Sequence, residues 1–373
     1  MTLTKNELFE GIRLIRPLLI LCICIAHVPG IRGYHSDYDQ YDQLSTLFSV
    51  YLKDFLARGG VPILTVISGY LAYSSYQKVP YFRLLIKKVK SLLVPFLVWN
   101  VIALAFCMVA FKLWGVNFLG FGRLDGFGSY INAILGIGLQ MPINLPVYFI
   151  RDLFLIMLFI PLIDVICKRK MVFIVFSIIW LVYSWMSHSI LLISDAFSTH
   201  ILYRTDMLLF FLLGYFYASQ AFQIPKLSRY SIVAISILMA VIGLFVSMYL
   251  SGVSPSNYDY VNLRLLFSLA FVACFPVFIN ALILFSDSMG GRILKFISPY
   301  SFTLFLSHIV VLNVFSIIIF KLMGWHISER ATPFIQMFYI ALYLFFICAS
   351  AIFILMVWKK VLAHLGKQRE SIF

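Results

Sequence analysis

Apolar runs of about 20 residues recur along the whole chain, and short polar segments separate them. An α-helix needs about that length to cross the hydrocarbon layer of a bilayer. The pattern predicts an all-α polytopic membrane protein with about ten transmembrane helices. The predicted spans are approximately residues 12–29, 60–77, 91–111, 146–166, 171–190, 201–220, 230–250, 264–285, 299–320 and 334–357.

The segment before the second span, STLFSVYLKDFLAR, is itself helical in pattern and runs directly into GGVP at residues 59–62. Glycine and proline weaken or interrupt helices. We therefore expect the second span to have a broken or bent start. Such a break persists inside a membrane only where protein or water covers the freed backbone groups.

The composition supports the membrane assignment. Of the 373 residues, 62% are hydrophobic and 12% are charged, and this charged share is about half of the usual value. No segment is long and polar enough to be a separate soluble domain, so we expect residues 1–373 to form one transmembrane domain. The amino-terminal segment lacks a small-residue cleavage site, and we interpret the first span as retained rather than as a signal peptide.

The six cysteines lie within or at the ends of apolar runs, and their spacing matches no metal-binding motif. We interpret them as small residues of the helix-packing core. The sequence therefore predicts neither a metal site nor a disulfide framework.

The formal net charge of +14 is unevenly distributed along the chain. If the amino terminus is cytoplasmic, the inner face carries 19 Lys and Arg against 5 acids, and the outer face carries 10 against 10. The positive-inside rule then places both termini in the cytoplasm. The basic excess is thus a topology signal, and it does not indicate a nucleic-acid partner.

The first span has an arginine at one end and a histidine at the other, in the sequence RPLLILCICIAH. Eleven helical steps bring His27 to within about 20° of Arg16 and roughly 16 Å along the axis. An arginine at the cytoplasmic end is expected from topology, and a histidine near a helix end can bond a headgroup. Their alignment on one stripe favours a shared function.

Five further charged residues fall within the outer halves of predicted spans, at the depth of His27. Each costs roughly 2.5–3.5 kcal/mol near a bilayer centre, and less toward the interface. One interpretation is interfacial snorkelling with local salt bridges that fix helix packing. For the set together with His27, a wet functional cavity is the favoured interpretation. The five are Arg151, Asp152, Arg204, Asp206 and Arg264.

A basic cluster precedes the third span in the hairpin YFRLLIKKVKSLLVPF, and it contains Arg83, Lys87, Lys88 and Lys90. One interpretation is anchoring on anionic lipid, worth about 1 kcal/mol per basic residue. The other is a seat for the phosphates of a nucleotide-like cofactor. Composition does not distinguish them.

Five segments, in order along the chain, resemble motifs of the membrane-bound acyltransferase-3 family. The resemblance covers nearly the whole chain, and its ten-span architecture is the one predicted above. No hydrolase-like domain is appended, so the chain resembles the stand-alone members that O-acylate exopolysaccharide, O-antigen or related glycans at the bacterial inner membrane. The segments are RPLLILCICIAH, RGGVPILTVISGYL, YFRLLIKKVKSLLVPF, PVYFIRDLFLI and ISPYSFTLFLSHIVV.

The resemblance implies an acyl-CoA donor, most simply acetyl-CoA, and no tightly bound cofactor. The donor phosphates would meet Arg16 and the basic cluster before the third span. The thioester would then reach His27, which either removes the proton of a sugar hydroxyl or accepts the acyl group itself. His27 and Arg16 are therefore the catalytic candidates. The five outer charged residues would line the side that receives the glycan or lipid-linked sugar.

Three other interpretations compete with acetyl transfer. A transporter or flippase for a lipid-linked sugar also needs an intramembrane polar cavity, but the two halves show no internal repeat of the kind common in transporters. A related enzyme would move another acyl group, such as succinyl. A structural subunit without a site is disfavoured by the aligned Arg16 and His27.

Overall fold

The computed structural model consists almost entirely of helices. It describes residues 1–28, 43–116, 124, 126–136, 142–187, 191–192, 200–202, 204–252, 257–322 and 332–370. The described residues form α1 (Lys5–Ala26), α2 (Gln43–Val50), α3 (Gly60–Tyr76), α4 (Tyr81–Lys88), α5 (Val94–Trp114), α6 (Gly126–Leu135), α7 (Tyr148–Leu158), α8 (Ile160–Lys168), α9 (Lys170–Met186), α10 (Asp206–Ser219), α11 (Arg229–Gly252), α12 (Asn257–Ala273), α13 (Phe275–Leu284), α14 (Met289–Ile297), α15 (Ser301–Ser316) and α16 (Pro333–Glu370). Two short strands, β1 (Leu191–Leu192) and β2 (His200–Leu202), pair antiparallel.

Helices cover the greater part of every predicted span, but fewer than ten are long enough to cross a bilayer. Among the described residues, five helical runs have the length and apolar character for crossing, and a sixth results if α12 and α13, bent by 48° at their junction, count as one span. The shorter apolar helices are α9 and α10. The membrane class therefore agrees with the prediction, whereas the count of ten rests on the sequence alone.

Proline explains two of the shortened helices. The predicted fourth span is divided between α7 and α8 just before Pro161, and the eighth is divided between α12 and α13 just before Pro276. In both cases proline lies within the first two positions of the second helix, where its missing N–H costs no intrahelical bond. The sixth span begins later than predicted, because residues 200–202 belong to β2 and α10 starts at Asp206.

The described backbone is not broken at residues 59–62, so the predicted break is wrong, whereas the alternative of a bent start stays a prediction. The helical run continues from Leu44 to Tyr76. Its hydrogen bonding instead changes to a π-turn at Tyr51–Leu56 and to a 3₁₀ turn at Ala57–Gly59 before α3 begins. The local change of helix type accommodates Pro62 without interrupting the rod.

Helices α3 and α10 are in backbone contact through two glycines. A Cβ on Gly69 would overlap the carbonyl oxygen of Phe211, and a Cβ on Gly214 would overlap that of Val66. Small residues of this kind allow close approach of membrane helices, where packing and polar contacts rather than the hydrophobic effect drive association. This pair forms the centre of the bundle.

The amino-terminal end of α1 contacts several connections that the charge distribution places on the same side. The backbone N–H of Leu3 donates to Ile224 at 2.9 Å, and Lys226 pairs with Glu7 at 2.9 Å. Hydrogen bonds from Lys226 and Thr4 lower the pKa of Glu7 to about 2. Lys295 of α14 lies 3.5 Å from Glu10. These segments therefore share one end of the bundle, and its assignment to the cytoplasm remains a prediction.

Two connections that the charge distribution places on the outer side, residues 32–43 and 251–260, fall partly outside the described residues, at 32–42 and 253–256.

We expect Gly214→Ala to destabilise the protein, because its methyl group would force α3 and α10 apart. Overpacking of this kind costs about 1–3 kcal/mol. Gly290→Ala is the matched control, since its Cβ would meet only the Ser288 hydroxyl at 3.8 Å. Thermal unfolding in detergent measures both variants. Equal melting temperatures for the two would contradict the contact between α3 and α10.

Candidate active site

A cavity of about 530 Å³ opens at the end of the bundle that holds the amino terminus. Arg16 of α1 and Lys88 of α4 line it at this end. Ile20, one turn further along α1, and Phe305 of α15 line it deeper in the bundle. Three serines, Ser68, Ser91 and Ser301, also line the space. We call this space the inner pocket.

The structure brings together only part of the predicted phosphate-binding cluster. Arg16 and Lys88 share the inner pocket, whereas Arg83, Lys87 and Lys90 are exposed and lie outside its lining. These three belong to the helical segment that also carries Lys88, on faces that point away from the pocket. Their arrangement suits contact with anionic lipid or with a part of a ligand that extends beyond the pocket.

His27 occupies the opposite end of α1. Its backbone N–H donates to the carbonyl of Cys24 at 3.0 Å and closes the last turn of the helix. Because α1 runs unbroken from Lys5 to Ala26 despite Pro17, Arg16 and His27 belong to one helix, as the sequence predicted. Arg16 lines the inner pocket, and His27 is half-buried beyond it.

A second histidine, His308 of α15, packs against His27. The two imidazole ring centroids are 5.6 Å apart. His308 is fully buried, and its Nδ1 lies 2.6 Å from the carbonyl oxygen of Phe305. We did not predict His308 as a site residue. The signal was present, because the apolar segment ISPYSFTLFLSHIVV carries a single imidazole just as the first span does.

One aromatic ring separates the inner pocket from the two histidines. The ring of Phe305 lines the pocket and lies 5.8 Å from the ring of His308. On the pocket side it meets Phe149 edge-to-face at 5.7 Å. The pocket and the histidine pair are therefore neighbouring compartments.

Four of the five outer charged residues form one buried network. Arg151 donates to Asp152 through Nε at 2.9 Å, and its guanidinium also donates to the carbonyl of Gly136. Asp152 accepts from the backbone N–H of Arg204 at 3.3 Å. Arg204 pairs in turn with Asp206 through two hydrogen bonds. The network ties α7 to the start of α10, so these charges act first as packing elements.

The fifth residue, Arg264 of α12, lies beside that network. It is within electrostatic range of Arg204, Arg58 and Asp206, and it forms no ion pair with any carboxylate among the described residues. Arg58 and Lys53 in turn lie within electrostatic range of His27.

His27 therefore has cationic neighbours in Lys53 and Arg58, and Arg58 also pairs with Asp54 at 3.4 Å. Lys53, Asp54 and Arg58 were not predicted, although they are charges within a helical pattern. Because cations near a reacting centre stabilise developing negative charge, this arrangement suits chemistry that passes through an oxyanion.

The comparisons with known proteins agree with this arrangement. A family model described as an acyltransferase domain matches residues 9–364. The chain belongs to the acyltransferase-3 family. It is also 36% identical over 166 residues to the succinoglycan biosynthesis protein ExoH of Rhizobium meliloti (strain 1021). That alignment spans 42% of this chain and 43% of the relative, and no solved structure gives a significant match.

The buried network of this acyltransferase-3 member predicts a large stability effect. Asp152→Asn would leave the Arg151 guanidinium without its counter-charge, and breaking a buried pair costs about 3–5 kcal/mol. Asp287→Asn is the control, because Asp287 is exposed and pairs with Lys295 only at 3.5 Å. Thermal unfolding in detergent gives the melting temperatures of the Asp152→Asn and Asp287→Asn proteins. If Asp152→Asn melted like the control, the network would not be a packing element.

Proposed function

We propose that the chain is an integral membrane O-acyltransferase of the bacterial inner membrane. It moves an acetyl group from cytoplasmic acetyl-CoA to a sugar hydroxyl of an exopolysaccharide, O-antigen or related glycan. The observation that carries the proposal is the inner pocket, with Arg16 and Lys88 at its mouth and the histidine pair next to its deep end. The acyltransferase domain supports the reaction class.

The mouth of the pocket suits the anionic part of the donor. Arginine binds phosphate through paired hydrogen bonds, and lysine binds it as a point charge. The rest of the lining is mostly apolar, which suits a slim pantetheine arm and its thioester. Phe305 stands between the thioester and the histidines, so the ring has to turn aside or the acyl group has to pass along it.

The chemistry at the deep end needs one proton carrier and one site for negative charge. The sugar oxygen attacks the thioester carbonyl carbon while its proton moves to His27. Arg58 and the neighbouring cations stabilise the tetrahedral oxyanion. The C–S bond then breaks, and the thiolate takes the proton from His27 as free CoA leaves. A variant of this route transfers the acyl group to His27 first and to the sugar second.

The cationic surroundings of the histidines favour a second candidate donor. An acyl group with its own carboxylate, such as succinyl, would bring a negative charge to Arg264, which pairs with none of the described carboxylates. The relative in Rhizobium meliloti is named for succinoglycan biosynthesis. Side-by-side assays with labelled acetyl-CoA and succinyl-CoA distinguish the two donors.

A transporter or flippase remains the competing class. Incubation of the purified protein in nanodiscs with labelled acyl-CoA and lipid-linked glycan separates the classes directly. Label on the glycan supports the enzyme, and glycan translocation without any label supports the carrier.

We expect His27→Ala to abolish acyl transfer while the protein remains inserted and abundant. Loss of the proton carrier removes at least the 10²- to 10⁴-fold that such a group contributes, as an order of magnitude. Transfer of label from acyl-CoA to glycan measures activity, and thermal unfolding checks folding. Full activity in a folded His27→Ala protein would remove the proposal.

We expect Arg16→Ala to raise KM for acyl-CoA, because a charge-assisted hydrogen bond to phosphate is lost. Such bonds contribute about 1.5–3 kcal/mol, which corresponds to roughly 10- to 100-fold. Lys78→Ala is the matched control, since Lys78 is an exposed basic residue between α3 and α4 and does not line the pocket. An unchanged KM in Arg16→Ala would refute the phosphate contact.

A further inference from the structure

The hydrogen bond of His308 to the backbone fixes its tautomer. A carbonyl oxygen only accepts hydrogen bonds, so the 2.6 Å contact between Nδ1 and the Phe305 oxygen requires a proton on Nδ1. In the neutral ring, Nε2 is then a hydrogen-bond acceptor with a free lone pair. The turn of α15 between Phe305 and His308 thus orients the ring as well as placing it.

That acceptor has no partner among the described residues. Nε2 of His308 is buried, and it forms no hydrogen bond there. A buried polar atom left in this state costs about 1–3 kcal/mol. Native structures rarely keep such a group without a use, so a donor is expected to approach this nitrogen.

The imidazole of His27, which packs against the ring of His308, is a group of the right chemistry. Two imidazoles joined by an N–H···N bond of about 2.9 Å have ring centroids roughly 5 Å apart. The observed separation of 5.6 Å, with the planes tilted by 45°, is only slightly longer. A small rotation of His27, which is half-buried at the end of α1, closes the difference.

We propose that His308 is a positioning residue for the acyl transfer, and that its Nε2 accepts a hydrogen bond from the N–H of His27. This inference rests on the proposed function. The bond presents the second nitrogen of His27, with its lone pair, to the sugar hydroxyl. In many enzymes a carboxylate orients the catalytic histidine in this way. Within the described residues His27 makes no ion pair, and a neutral imidazole takes that place.

The arrangement accounts for each proton in the transfer. His27 holds one proton toward His308 throughout, and it receives the hydroxyl proton on its other nitrogen as the sugar oxygen attacks. The resulting imidazolium is stabilised by the lone pair of His308. It returns the second proton to the departing thiolate, which leaves both histidines as they began.

Three variants of His308 separate positioning from mere packing. His308→Phe keeps the ring volume and loses both nitrogens. His308→Asn keeps a donor for the Phe305 carbonyl and loses the acceptor at Nε2. His308→Gln keeps an amide oxygen near the position of Nε2 but cannot titrate. Ser316→Ala, further along α15, is the matched control for a buried hydroxyl that bonds Leu312 and Tyr343.

We expect kcat to fall at least about 10- to 100-fold in the Phe and Asn variants, which is the effect of removing groups that orient metal-binding histidines. KM for acyl-CoA should stay within about twofold in all variants, because His308 does not line the inner pocket. His308→Gln should recover a substantial part of kcat, and Ser316→Ala should match the wild type. Steady-state transfer of label to glycan, with thermal unfolding as the folding check, gives these values.

Two results would overturn the proposal. One is a folded His308→Phe or His308→Asn protein with wild-type kcat. The other is a His308→Gln protein as inactive as His308→Asn, because this would mean that the proton itself, and not the acceptor, is required. If His308→Phe fails to fold, the kcat values of His308→Gln and His308→Asn still test whether an acceptor at the position of Nε2 is required.

A structural measurement keeps the inference separate from the proposed function. In a cryo-EM map of the wild-type chain in nanodiscs, the closest nitrogens of His27 and His308 should lie about 3 Å apart. If the wild-type protein shows this contact but no acyl transfer, the proposed function is refuted and the pairing of the two histidines stands. If the wild-type protein is active but water or lipid lies between the two imidazole rings, the pairing is refuted and the proposed function stands.

Discussion

The arrangement of this protein depends on the high cost of placing ionisable groups inside a bilayer. A charged side chain that faces hydrocarbon is expensive, so such groups are paired, turned inward or brought to water. Here Arg151, Asp152, Arg204 and Asp206 pair with one another within the bundle. Elsewhere in the bundle, Gly69 and Gly214 allow the backbones of α3 and α10 to touch.

Because these four charged residues bind one another, the groups left for the proposed acyl transfer are the two histidines and the cations near them. The two histidines contact each other, and Arg58 and Lys53 lie within electrostatic range of His27. The inner pocket approaches from the opposite end, where Arg16 and Lys88 supply positive charge. Under the proposed function, a donor from one side and an acceptor from the other would meet at His27. The ring of Phe305 lines the inner pocket and also packs near His308.

The sequence predicted the helical class and the approximate position of α1, because hydrophobic periodicity and charge placement are local signals, although α1 begins at Lys5 and not near residue 12. It also predicted that Arg16 and His27 belong to one helix. It did not predict the breaks before Pro161 and Pro276, since proline at the start of a helix and proline within one look alike in a single sequence. The expected break at residues 59–62 was wrong, because π and 3₁₀ turns absorbed the glycines and Pro62. The segment of His308 does carry a single imidazole among apolar residues. His308 was nevertheless missed as a site residue, because its contact with His27 joins α15 to α1 and a local pattern does not report such a pairing.

The central claim is that the donor enters through the inner pocket and presents its acyl group to His27. A cryo-EM map of the chain in nanodiscs with a non-hydrolysable acetyl-CoA analogue tests it most directly. The account predicts phosphate density against Arg16 and Lys88, and the acetyl carbonyl next to the histidine pair. An analogue bound elsewhere, or bound with its acyl end outside the reach of His27, would contradict it.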